Sequence, residues 1–98
     1  MKMIHDLKIA PLFFKAVLSG EKKAELRWND RNFNCGDFLL LREWEGKYTG
    51  LKTLVKITHV LPVDKFIISG GNWVMMSIAP LNSYDAQLLR EASFGGAQ

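Results

Sequence analysis

The chain has one cysteine, Cys35, in 98 residues, and only two histidines, His5 and His59. One thiol cannot close an intramolecular disulfide, so the expected setting is reducing and cytoplasmic. These three residues are the only soft metal donors, and no two stand at zinc-site spacing, so no metal and no cofactor are expected. Cys35 sits before Gly36 in a turn, and a nucleophilic role would need a nearby base that sequence does not show, so none is assigned to it. Long apolar runs are missing too. "IAPLFF" is interrupted by Pro11 and ended by Lys15, too short to cross a membrane and without a signal-peptide cleavage pattern. "SGGN", residues 69–72, lacks the lysine and hydroxyl of a phosphate-binding loop and reads as a glycine turn. There is no repeat, low-complexity tract or linker.

What is present is ordinary globular composition, 48% hydrophobic and 23% charged, which excludes a disordered tail protein. The length suits one domain, residues 1–98, with a single core. The net charge of +3 is unevenly placed: residues 1–60 hold eleven Lys/Arg against seven Asp/Glu, and residues 61–98 hold two against three. A basic surface on one side suits an anionic partner such as nucleic acid, and equally suits plain solubility.

The pattern begins with a short strand or extended entry at 5–9. Pro11 then fits the first turn of an amphipathic helix over 11–19, with Leu12, Phe13, Ala16 and Val17 at helical spacing as the apolar face that packs on the sheet and Gly20 as its stop. From residue 22 the period is two. In "KKAELRW", Ala24, Leu26 and Trp28 share one face and Lys23, Glu25 and Arg27 the other, which predicts an apolar face turned inward. "FLLLREW", 38–44, is apolar on both faces at its start, and "EGKYTG" joins it as a hairpin to a strand over 51–61. On that strand His59 falls in phase with Val55 and Ile57 and is expected partly buried. After Pro62 comes an irregular or helical piece, then a strand around 73–78, a helix from Ser83 as N-cap, and a frayed "FGGAQ". The fold class is α+β, with the strands curled into a small barrel.

One stretch concentrates charge, "SGEKKAELRWNDR", residues 19–31. Arg27 and Arg31 can fork onto phosphate or a base edge, and Glu25 can orient Arg27 or take a proton from a ligand. Pattern alone favours the reading of the segment as a solvated face whose ion pairs contribute little. Trp28 and Trp44 end strands beside this strip and could stack on bases, but both are in phase with apolar neighbours, which points to core or core-edge packing. Strict alternation puts Lys22 and Glu25 on opposite faces, so a shared site requires an irregular strand start.

From residue 5 to 61 the chain carries, in order, His5, Leu7 and Lys8; Ser19, Gly20 and Lys22; Glu25, Arg27, Asn29, Asp30 and Arg31; Gly36 and Asp37; and Tyr48, Thr49 and Gly50. This order of motifs resembles the small single-domain ASCH proteins (activating-signal-cointegrator homology) of the PUA-like superfamily, in their short bacterial and phage-encoded branch. It implies a five- to six-stranded barrel with a flanking N-terminal helix and a short C-terminal one. It also implies a helix–barrel cleft that binds RNA or a nucleotide. The residues implied at that cleft are Lys8, Lys22, Glu25, Arg27, Asp30 and Arg31. Enzymatic relatives deacetylate N4-acetylcytidine or cleave RNA; on that alternative Lys22 and Glu25 would be catalytic, although Glu25 stands where the amidohydrolase pattern has threonine. A third expectation is a phage-type protein-interaction modulator, for which Trp28 or Trp73 left outside the core would supply an apolar patch.

Overall fold

The computed structural model describes residues 2–63, 66 and 71–91. Most of the piece expected after Pro62, and all of "FGGAQ", lie outside them. The elements run β1 (Ile4–Ile9), α1 (Pro11–Ser19), β2 (Ala24–Trp28), β3 (Phe38–Trp44), β4 (Tyr48–Pro62), β5 (Trp73–Pro80) and α2 (Ser83–Glu91). The five strands form one curled sheet in the order β1-β3-β4-β5-β2, a small α+β half-barrel. β1 runs parallel to β3 and the remaining pairs are antiparallel. β1 and β2 are therefore the two edges, and the seam between them is where the barrel stays open.

The concave face carries the core: Leu7 and Ile9 from β1, Leu39 and Leu41 from β3, Val55 and Ile57 from β4, and Val74, Met76 and Ile78 from β5. Each such side chain contributes roughly 1.5–3 kcal/mol by leaving water. α1 starts on Pro11, whose absent N–H costs nothing in a first turn, and stops where Gly20 takes φ 82° and donates its N–H to the Val17 carbonyl. The helix turns Phe14 and Val17 to the core, whereas Leu12 and Phe13, expected to pack inward, are exposed.

Two more expectations are corrected. β4 bulges between Ile57 and His59, which inserts one residue into the ladder and reverses the phase beyond it. His59 is consequently exposed, and Val60 packs against the core in its place. α2 is capped by Asn82 rather than Ser83: the Asp85 N–H donates to Asn82 Oδ1 (2.8 Å), and the Asn82 N–H donates back to Asp85 Oδ2 (3.1 Å). The other oxygen of this buried carboxylate accepts Lys56 Nζ at 3.0 Å, which ties α2 to β4.

A buried polar hub fixes the start of β3. Asp37 accepts His5 Nε2 at 2.9 Å and the backbone N–H groups of Met3 (3.1 Å) and Asn34 (3.2 Å), and Phe33 packs edge-on to the His5 ring. His5 and the Gly36-Asp37 pair thereby have a folding role. No helix of the described residues is long and apolar enough to cross a membrane.

Candidate functional site

β2 is paired to β5 with Glu25 opposite Met76 and Arg27 opposite Val74. Residues directly opposite share a face, and Met76 and Val74 are core. Glu25 and Arg27 therefore point into the half-barrel, and Leu26 and Trp28 point out, 45% and 48% exposed. This inverts the predicted apolar-inward strand. The physical reason is the seam: the inner face of an edge strand meets no partner strand there, so charged groups can pair with one another and still reach water. Trp28 packs edge-to-face on Trp73, centroids 5.6 Å apart, on the convex surface.

Glu25 is 5% exposed and sits between two cations. Lys22 Nζ lies 2.8 Å from its Oε1, and Arg27 Nε donates to its Oε2 at 2.6 Å. Lys22 precedes the first residue of β2, so strand alternation does not bind it, and its ammonium also donates to the Ala24 carbonyl. The irregular start that a shared site demanded is what brings the pair together. Arg27 Nη2 donates to the Lys8 carbonyl at 2.7 Å. With these bonds made, Nη1 of Arg27 carries two N–H groups that no described residue accepts.

These groups line a cleft of about 470 Å³ at the seam, with Ile9, Ala10 and Phe13 as its apolar side. That volume falls in the range of small-ligand sites. Phe13 is 51% exposed and faces Lys22 Nζ across 5.8 Å. Sequence reasoning assigned Phe13 to the core; the signal that could have placed it here is the helical spacing of Phe14 and Val17, which leaves Phe13 off the buried stripe. A second cavity of about 460 Å³ opens beside the first, lined by Val17, Leu54, Val55, Ile78 and Pro80, with Lys22 common to both.

The remaining predicted site residues lie at different points around β1. Lys8 contributes to the cleft wall, but its ammonium sits on the convex face, 3.8 Å from the centroid of Trp44. Trp44 itself is half-buried and edge-on to Tyr48 at 4.9 Å, on that convex face and not in the core. Arg31 donates from Nη1 to the Asp6 carbonyl, further along the same edge, with Nε 3.8 Å from the exposed Asp30. Asp30 and Arg31 thus flank the seam without lining the cleft. The exposed Cys35 thiol donates to the Thr58 carbonyl at 3.0 Å. Among the described residues no three His, Cys, Asp or Glu side chains cluster as metal ligands do.

Residues 4–78, which take in α1 and nearly all of the sheet, match the family described as a domain of unknown function, DUF3850. A curated relative from Escherichia phage P2, described as an uncharacterized 12.9 kDa protein in the GpA 3' region, is 41% identical over 68 residues. That stretch is 68% of this chain and 62% of the relative, so the match spans less than two thirds of the phage protein's length.

Proposed function

This chain belongs to the DUF3850 family, a domain of unknown function, and from its charged seam cleft we propose that it is an ASCH-type, PUA-like module that binds RNA or a nucleotide there. The observation that carries the reading is the Lys22–Glu25–Arg27 group: two cations on one carboxylate, net positive, lining a cleft of nucleotide size. The fixed Glu25 orients both cations, the Nη1 of Arg27, whose N–H groups no described residue accepts, offers a two-pronged donor to phosphate or a base edge, and Phe13 gives an exposed ring for stacking. A ligand of this kind and a lone cysteine both suit the cytoplasm.

The test is titration of uridine monophosphate and a mixed RNA pool into the purified protein at several salt concentrations. Binding should weaken with salt, by a log–log slope of about 0.7 for each phosphate neutralised, and Lys22→Ala should flatten it. Affinity indifferent to salt, or no binding to any RNA, would overturn the reading.

Two observations keep other readings in the experiment. The 2.8 Å contact between Lys22 and Glu25 is the pair a nucleoside amidohydrolase or ribonuclease would use as nucleophile and acid–base partner. Product from acetylated nucleosides or RNA, seen by mass spectrometry and lost in the Lys22→Ala, Glu25→Ala double variant, would establish that activity. Leu26, Met75 and Leu61 form a cross-strand row on the convex face beside Trp28, the apolar patch that a protein-interaction modulator requires. A stoichiometric protein partner retained after nuclease treatment would favour that role over RNA binding.

A further inference from the structure

On the convex face, β1, β3 and β4 place three basic residues in one row: Lys8 opposite Arg42, and Arg42 opposite Lys52. Their sequence neighbours Leu7 and Leu41 turn into the core, which leaves the row facing outward. Neighbouring strands lie about 4.8 Å apart, and like charges placed directly opposite each other destabilise a sheet. One acid offsets the row, Asp6, 3.4 Å from Arg42 Nη1, so the face keeps a net positive charge.

Two rings hold this unfavourable arrangement in place. Lys8 Nζ sits 3.8 Å from the Trp44 ring centroid, and the Arg42 guanidinium 3.8 Å from that of Tyr48. An aromatic face attracts and orients a cation without cancelling its charge, as a carboxylate would. The row is therefore positioned and still electrostatically available. It also adjoins the cleft. Lys8, its first member, gives its carbonyl to Arg27 and lines the cleft wall, while Arg31 holds the Asp6 carbonyl on the same edge. The cleft opens on one side of β1 and the cationic row begins on the other.

We propose that Lys8, Arg42 and Lys52 form a track for the phosphate backbone of single-stranded RNA, one nucleotide of which enters the cleft. This deepens the reading given above and rests on it. A free nucleotide would occupy the cleft and leave the row unmatched. A duplex keeps its bases stacked and could not deliver one to the cleft, whereas a single strand can splay a base out as its backbone continues.

The experiment compares uridine monophosphate, oligouridylates up to about ten nucleotides, and a duplex RNA of equal length, by calorimetry and fluorescence anisotropy over a range of salt. Affinity should rise about tenfold or more from monomer to longest oligomer, with the duplex weaker than the single strand. The Arg42→Ala, Lys52→Ala double variant should lose about tenfold on the oligomer and flatten its salt slope by about 1.4, with monophosphate binding unchanged. A charge-keeping Arg42→Lys, Lys52→Arg variant should retain the slope, and matching thermal melts would show that every variant folds. If the monophosphate binds but added length brings no gain, or if the alanine variant keeps the parental slope, the track is overturned and the cleft reading stands. Preference for the duplex overturns the track as well. If neither monomer nor oligomer binds, both fall together.

Discussion

Glu25 joins the sequence pattern to the chemistry of the site. A carboxylate 5% exposed is tolerable only with partners, and it has two, Lys22 and Arg27, whose side chains keep 22% and 27% of their own exposure. Removing it strands two cations at the cleft wall. Losing one member of a fully buried pair costs about 3–5 kcal/mol. Because both cations here reach water, the cost is discounted, and Glu25→Ala should lose about 2 kcal/mol. Glu25→Gln keeps the shape and one acceptor oxygen and should lose about 1 kcal/mol. Urea denaturation reads both, and an alanine variant as stable as the parent would show that the three charges do not hold one another. The charge content of this site was legible in the sequence. Its direction was not, because alternation shows that Glu25 and Arg27 share a face and leaves open which face is inside. Burial of Leu26 and Trp28 would have followed had β2 been covered on its other side. As an edge strand on an open seam, it turns the charged face inward.

The ends and joints of elements show the same division. α1 is where the pattern predicts it, residue for residue, since Pro11 and Gly20 act through backbone geometry alone and need no tertiary partner. β4 departs at Thr58, because a bulge is set by the pairing with β5, which no local pattern reports. α2 depends on Asp85, whose carboxyl is held below the usual aspartate range. The main cause is the backbone N–H of Asn82, followed by the hydrogen bond and charge of Lys56, with burial opposing. A carboxylate that titrates lower in the folded state than in the unfolded chain stabilises fully above the unfolded value of about 3.9, and that contribution disappears as pH falls through the folded value. Asp85→Asn should therefore lower the denaturation midpoint near neutral pH, and the gap to the parent should close below about pH 4. A gap that stays constant down to acid pH would show that the carboxylate's charge is not what anchors the helix.

At the scale of the molecule, the open seam decides both stability and accessibility. Met3 gives its carbonyl to Phe38 across the β1–β3 pair, so backbone alternation turns the Asp6 and Lys8 carbonyls to the free edge of β1. Arg31 takes the first of these and Arg27 the second. Two guanidinium groups thus span the gap that a sixth strand would fill, and they blunt an edge otherwise open to pairing with another chain. Sequence could not show this, since it depends on which strands end as edges, a property of the whole topology. The bridge requires a planar fork: Arg27 binds Glu25 and the Lys8 carbonyl at once, and lysine, a point donor, cannot reproduce that geometry. The Arg27→Lys, Arg31→Lys double variant keeps every charge and should still lose about 2 kcal/mol, allowing for the partial exposure of both side chains. Amide exchange should quicken in β2 and along β1, while β4, inside the sheet, stays protected. If the cleft binds RNA as proposed, the salt slope should stay near the parental value, because phosphate attraction depends on charge more than on the fork. Stability lost with the slope retained would separate the bridging of the seam from the proposed binding of RNA. Unchanged exchange in both edge strands would show that the seam holds without its arginines.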